Sequence, residues 1–557
     1  MNFQEIAILL VAAGFFGIIA KLIKQPILIG YLFAGFFLAA TGFVGDNTYL
    51  QNLGKIGITL LLFLLGMEIK IHELFQFGKT TLVSSLVQII VSSILAFFLS
   101  LMMGFDFIAS LYIAFSLSFS STIVVIKLLS EKKDLASFYG RLTVGILLIQ
   151  DLVVILLLMF LSSAKSYDVG IINYALVGVK GVVLLFLVWF LSRRILPRLF
   201  ERFISSSQEL LFVGSIAWAL GIALFIAGPL GFTLEIGGFL AGLSLSNLPE
   251  HVEIASRTRP LRDFFLVIFF LYLGTQLAIG QTMLYVIPQA LILSLFVLVG
   301  KPLIVMTTLG ILGYKKRTSL LTGLSLAQIS EFSLILVALG GSLGHIKREV
   351  VSMVVLSGAI TMTFSTYMIL YADKIYRLVG KYLSIFERKK AREEVLVSTP
   401  KMIDHIVLVG CDRTGRNLVN YFIKKNVPFL VIDFNPKVFT ALSAQKIPVI
   451  FGDVSDSDIL QTANVASARM LISTSGNLAD NLSLLEYVSQ TNRDLITIFT
   501  APLRLDALAL YENGASYVIV PEVVAGEHIR HLLRIYGTKG EKLVKAGKSH
   551  FNRLMFT

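Results

Sequence analysis

Apolar runs of roughly 17–25 residues, enough to cross a hydrocarbon core of ~30 Å, recur from the first residues to about Asp373 and then stop. They predict thirteen spans, near 4–20, 26–41, 56–71, 80–102, 107–129, 142–162, 170–192, 208–227, 231–247, 263–279, 284–312, 319–341 and 350–372. The first lacks a basic leader and a small-residue cleavage site before Lys21, so it is expected to remain in the mature chain. Residues 374–402 are polar, basic and partly amphipathic, which predicts a linker helix on a membrane surface. After it the period changes. Short β-branched runs at 405–410, 428–433, 448–452, 470–474, 496–500 and 517–520 alternate with helical patterns, which predicts a parallel, doubly wound α/β domain over 403–522. A tail, 523–557, follows.

Composition agrees with that division. The 557 residues are 56% hydrophobic and only 15% charged, with a mean hydropathy of +0.81, which excludes a wholly soluble protein. A single cysteine excludes a disulfide-stapled scaffold. The net charge of +13 would suggest nucleic acid in a soluble protein, but here its location decides. Eighteen Lys and Arg fall in the odd-numbered connections and four in the even-numbered ones. The positive-inside rule then predicts a multi-pass protein of the inner (cytoplasmic) membrane, in contact with lipid, with its N-terminus outside and its C-terminal domain in the cytoplasm. No nucleic-acid partner is expected.

Ionisable groups at bilayer depth are costly, and each is a functional candidate. Asp151, beside Gln150, falls near the middle of the sixth span; Lys301 and Glu331 are central in the eleventh and twelfth. Lys180 and Glu235 are further buried candidates, and an internal ion-pair network is the alternative reading for them and for Glu331. Spans five and twelve carry polar interruptions, Ser116-Leu-Ser118-Phe-Ser120-Ser121-Thr122 and Gly323-Leu-Ser325-Leu-Ala-Gln328-Ile-Ser330. Seven spans apart, they run in opposite directions, as expected of inverted repeats with two crossed broken helices at mid-membrane. A buried carboxylate there can be neutralised by either a proton or a monovalent cation, and competition for the same oxygens produces exchange rather than leak.

In the α/β domain the first turn reads Gly410-Cys411-Asp412-Arg413-Thr414-Gly415, a dinucleotide-type fingerprint whose second glycine is replaced by Asp412. Asp433, ending the second strand, is placed to accept ribose hydroxyls, and the helix beginning near Thr414 offers its N-terminus to a phosphate. Arg504, just after the fifth strand, reads equally as a ligand or interface residue or as a solvated side chain. Cys411 is read as an ordinary buried residue, with redox sensing as the lesser alternative. The seven histidines lack metal-ligand spacing, so no metal site is predicted.

Taken together, Ser120-Ser121-Thr122-Ile-Val-Val, Leu148-Ile-Gln150-Asp151-Leu, Gly237-Gly-Phe-Leu-Ala-Gly-Leu, Phe269-Phe-Leu-Tyr-Leu-Gly274 and Ala327-Gln-Ile-Ser-Glu331-Phe resemble the monovalent cation:proton antiporter-2 family, in particular its Kef-type potassium/proton antiporters. The C-terminal domain resembles the nucleotide-binding lobe of an RCK (TrkA-N) domain. This resemblance implies a homodimer assembled through a membrane scaffold and the RCK domains. It also implies a mobile core in which Asp151 carries the cation and the proton, with Gln150, Ser120, Ser121 and Thr122 around it and Lys301 as basic partner. Gly452 and Asp453 match the family's adenine-side loop. The implied ligands are AMP or NAD(H) in the cytoplasmic domain, and potassium (or sodium) and protons as cargo. A sodium/proton antiporter of the same fold is the nearest alternative. A ligand-gated channel should show a TVGYG-like filter, and the sequence has none; an NAD-dependent enzyme should show a catalytic acid/base or a second substrate domain beside the nicotinamide, and nothing after Val520 is read as supplying one.

Overall fold

The computed structural model describes residues 3–43, 48–68, 78–132, 134–135, 137–163, 184, 188, 190–196, 207–228, 232–248, 250–277, 280–380, 382–386, 402–411, 413–433, 435–452, 454, 457–537, 540, 543–545 and 547–548. Lys180, Asp412, Asp453, most of the seventh predicted span and much of the linker and tail lie outside them. The chain divides into two compact units, one holding most of residues 1–387 and the other most of residues 388–557.

Among the described residues, the first unit has eight helices long and apolar enough to cross a membrane, and three shorter apolar ones. Its helices are α1 Phe3–Leu22, α2 Ile27–Ala40, α3 Thr48–Glu68, α4 Gly78–Met102, α5 Phe107–Ser118, α6 Thr122–Glu131, α7 Phe138–Ser163, α8 Gln208–Ala227, α9 Leu234–Leu245, α10 His251–Thr275, α11 Gln281–Ile311, α12 Lys316–Ser325, α13 Glu331–Ser342, α14 Arg348–Leu370 and α15 Ala372–Val379. They pack as two groups. In one, α3 lies against α9 and α10, α2 against α1 and α10, and α8 against α9. In the other, α4 meets α5, α11 meets α12 and α14, and α13 meets α5 and α14.

Small residues permit the closest approaches in the first group. A Cβ on Gly242 would sit 1.8 Å from the Phe63 carbonyl oxygen, and one on Gly35 would sit 2.0 Å from that of Leu271. The glycines of the Gly237–Leu243 motif therefore serve helix packing. One predicted boundary differs. Arg257, Arg259 and Arg262, assigned to a connection by their polarity, lie on α10, which begins at His251. Hydropathy marks where a helix meets apolar surroundings, whereas this helix continues through a polar stretch supported by an Arg257–Glu253 pair one turn apart.

The second unit is a six-stranded sheet in the order β3-β2-β1-β4-β5-β6, formed by β1 Ile406–Val409, β2 Phe429–Asp433, β3 Val449–Phe451, β4 Met470–Ser473, β5 Ile496–Thr500 and β6 Tyr517–Ile519. Every pairing is parallel. The order reverses between β1 and β4, the switch point at which such sheets open a ligand crevice. Buried Val, Ile and Leu form two apolar clusters in this unit, as expected for strands covered on both faces.

Candidate functional site

Two helices of the first unit are interrupted where the sequence places polar residues. The first break, Phe119-Ser120-Ser121, separates α5 from α6 with extended backbone at Phe119 and Ser121. The second, 326–330, separates α12 from α13. In each, serine serves as the new N-cap: Ser121 Oγ accepts from Val124 N at 3.2 Å, and Ser330 Oγ accepts from Phe332 N at 3.1 Å. That satisfies one of the amides a helix start leaves open.

Side chains of each break reach carbonyls of the other. Ser120 Oγ donates to Leu326 O at 2.8 Å, and Gln328 Nε2 donates to Ser121 O at 3.3 Å. Lys301 joins both breaks. Its fully buried ammonium donates to Phe119 O at 2.8 Å and to Gln328 O at 2.9 Å. A π-helical stretch, Phe296–Gly300, immediately precedes it, and Pro302, which lacks an N–H, follows.

The carboxylates occupy the opposite helix ends. Thr122 Oγ1, at the start of α6, donates to Asp151 Oδ2 at 2.8 Å. Glu331 opens α13, and the Ser121 hydroxyl and the Ile123 amide lie within reach of its carboxylate. Negative groups thus face helix N-termini, and the ammonium faces the carbonyl that caps α5, the arrangement the helix dipoles favour, together with a carbonyl inside the second break. Glu331 is near enough to Asp151 for its charge to act on it.

Gln150 works through the backbone: its Oε1 accepts from Ser120 N at 2.9 Å and its Nε2 donates to Gln88 Oε1. Gln88 in turn donates to Ser118 O at 3.0 Å and to Ser92 Oγ at 3.1 Å. Sequence reasoning missed Gln88, although an isolated glutamine inside the apolar fourth span was its signal. It also missed Ser365 and Thr361 of α14, which hold Gln328 Oε1 at 2.9 Å and accept from Ile329 N at 3.3 Å. Glu235 is buried in the first turn of α9. Beyond the spans, Asp373 of α15 pairs with Lys132 at 3.3 Å and Arg317 at 3.0 Å, residues that flank α6 and begin the α12 turn. Partial burial pushes the Asp373 carboxyl up, but these two cations outweigh it and hold it below its ordinary value.

Residues 6–370 match the sodium/hydrogen exchanger transmembrane family, and residues 406–521 match the TrkA-N domain. The chain belongs to the sodium/hydrogen exchanger family. This exchanger is 28% identical over 531 residues to the putative cation/proton antiporter YbaL of Escherichia coli (strain K12), covering 92% of this chain and 94% of that one. It is 26% identical over 564 residues to the putative K(+) efflux antiporter KefB of Alkalimonas amylolytica, covering 96% and 83%. Among solved structures, the sodium proton antiporter MjNhaP1 from Methanocaldococcus jannaschii aligns with 68% of this chain and 99% of its own at 16% identity, with a TM-score of 0.48. The exchanger is therefore a multi-pass membrane transporter with a TrkA-N domain, not an enzyme.

In the TrkA-N unit, Gly410 ends β1 with φ +81, and a Cβ on Gly415 would lie 2.1 Å from the Gly410 carbonyl oxygen. These are the tight-turn and helix-packing roles of fingerprint glycines. Asp433 is almost fully buried, and its two oxygens accept from Cys411 N and Asn435 N, each at 2.7 Å. It therefore fixes the β1 turn, and a carboxylate has further lone pairs for a ribose hydroxyl. Thr414 is exposed, Gly452 and Cys411 are buried, and Arg504 is exposed at the start of the helix after β5. Of Arg413, only the backbone, which starts the helix Arg413–Lys424, is described.

Proposed function

We propose that the protein is a secondary antiporter exchanging a monovalent cation, potassium in the first instance, for protons, under the control of nucleotide bound to its TrkA-N domain. The observation that carries this reading is the pair of interlocked broken helices with Asp151 at an N-terminal end and Lys301 bonded to a carbonyl of each break. Asp151 is the ion and proton carrier. Thr122 orients it, while Ser120, Ser121 and Gln150 hold the break that shapes the site. The name of one relative above, the putative K(+) efflux antiporter, favours potassium; a sodium/proton antiporter of the same fold is the second reading, favoured by the family match. The proposed division is 1–373 for exchange, 374–402 as linker, 403–522 for nucleotide binding and 523–557 as tail. The proposed assembly is a homodimer through scaffold and TrkA-N domains, in the inner membrane with the N-terminus outside. In proteoliposomes, potassium should dissipate an imposed ΔpH at least several-fold faster than sodium or lithium at equal concentration. A sodium preference would select the second reading, and no cation-dependent dissipation would defeat both.

The nucleotide is proposed to be AMP at least as readily as NAD(H). Asp433 can serve the ribose of either, with Gly452 and Asp453 on the adenine side. Asp412, however, stands in the sequence where a pyrophosphate needs close backbone approach, next to Arg413, which offsets part of the repulsion. A single phosphate at the helix N-terminus by Thr414 and Gly415 avoids that conflict. Calorimetry on residues 403–557 should find AMP bound no more weakly than NAD(H). Asp412→Gly should shift the preference toward the dinucleotide by about tenfold, the size of one ~1.4 kcal/mol contact. Much tighter NAD(H) binding by the unaltered domain would refute the argument.

A further inference from the structure

A cavity of about 980 Å³ opens between the two helix groups of the membrane unit. Gln25, Tyr31, Lys127, Arg262 and Asp263 line it along with much apolar surface, and so does Glu331; Asp151 does not. Glu331 is 3% exposed, and its Oε2 has no hydrogen-bond partner. A second acceptor lining the cavity, Gln25 Oε1, is also buried without one. Buried polar atoms are almost always satisfied, so an orphaned carboxylate oxygen bordering a cavity marks a place where something else binds. An acceptor lacking a donor suits a cation or a proton.

We propose that Glu331 is the first protein ligand of an ion arriving through this cavity and that it passes the ion to Asp151 behind it. The Ser121 hydroxyl and the Ile123 amide at the start of α6 lie within reach of the Glu331 carboxylate. Its Oε2, which has no hydrogen-bond partner, is left for the ion. Asp151 is held through Thr122, the next residue of that same helix start. The two carboxylates therefore meet consecutive residues of one helix start, Ser121 and Thr122, along which the transfer runs. Two buried carboxylates within range of each other are costly to leave bare, and a cation or proton shared in turn relieves that cost. The charged groups facing Glu331 are Asp151 on α7 and Arg262 on α10, with Lys127 and Glu131 of α6 farther along the cavity. Arg262, tied to its neighbour Asp263 at 2.8 Å, keeps an opposing charge on the far wall and prevents the cation from resting too firmly.

This inference rests on the antiport reading, and the experiment separates the two. The full-length protein is reconstituted, and potassium-dependent ΔpH dissipation is measured against potassium concentration and pH for wild type, Glu331→Gln and Glu331→Asp. Glu331→Gln should raise the apparent KM for potassium on the order of tenfold and displace the pH profile by about one unit, equivalent to one lost charge interaction of ~1.4 kcal/mol. Its maximal rate should stay within a factor of about three of wild type, and Glu331→Asp should recover most of the KM. If Glu331→Gln does not reach the membrane, carbodiimide labelling of the unaltered protein, read by peptide mass spectrometry, should modify Glu331, and potassium should suppress the modification. Wild-type exchange with an unchanged KM and pH profile in Glu331→Gln, or labelling of Glu331 indifferent to potassium, would overturn the relay while leaving the antiport reading intact. Absence of exchange by wild type would remove the antiport reading itself.

Discussion

Asp151→Asn should abolish cation-driven proton movement, with a loss of at least about 100-fold, while leaving the fold intact. A 100-fold loss corresponds to about 2.7 kcal/mol at 1.36 kcal/mol per tenfold in rate, and removing the group that carries both the proton and the cation stops the cycle rather than slowing one step. The carboxamide keeps the shape of the side chain, and Thr122 Oγ1 can donate to its oxygen as it now donates to Asp151 Oδ2. What the variant loses is the alternation between a protonated and a cation-bound state. Dissipation of ΔpH in proteoliposomes measures the rate, and the melting profile in detergent tests the fold. Exchange at the wild-type rate by a well-folded Asp151→Asn protein would remove Asp151 from the carrier role and leave Glu331 as the only transporting carboxylate at the crossing.

Much of this architecture was legible in the residues because two physical signals are strong. Long apolar runs mark spans whatever the packing, and β-branched runs alternating with helical patterns mark a parallel sheet. The serine-rich interruptions at 116–122 and 323–330 fell on the observed breaks because a run of small polar residues in an apolar helix can supply its own caps. The partners of Lys301 were not legible. The sequence shows a lysine at bilayer depth, and a carboxylate was the expected counterpart. The structure gives it two carbonyls from chain segments 182 and 27 residues away. Backbone carbonyls carry no sequence signature, and only the crossing of the helices decides which ones are freed together. The same limit applies to Asp433, whose oxygens turned out to bind turn amides, and to Gln150, a candidate ligand that grips the Ser120 amide. Polar residues are easy to find in such a sequence, but their division between holding the backbone and meeting the ion depends on contacts that long-range packing creates.

That division makes Lys301→Met the sharpest test of how the crossing is held. Methionine has nearly the length of lysine and no donor, so the substitution leaves Phe119 O and Gln328 O buried without their ammonium and the C-terminal end of α5 without a countercharge. Hydrogen bonds involving a charged group contribute about 1.5–3 kcal/mol each, and the variant loses two. Release of the ammonium from burial returns part of this, because a buried charge is itself expensive. A net destabilisation of about 3 kcal/mol is expected, seen as a clear drop in melting temperature, together with loss of exchange as the two breaks drift apart. Arginine should not substitute, since its planar fork does not fit a site built around a point charge between two carbonyls. A variant that melts like wild type but no longer exchanges would instead make the ammonium a participant in ion binding rather than a clamp. A variant that is wild-type in both respects would show that Ser120, Gln328 and Gln88 suffice to hold the crossing.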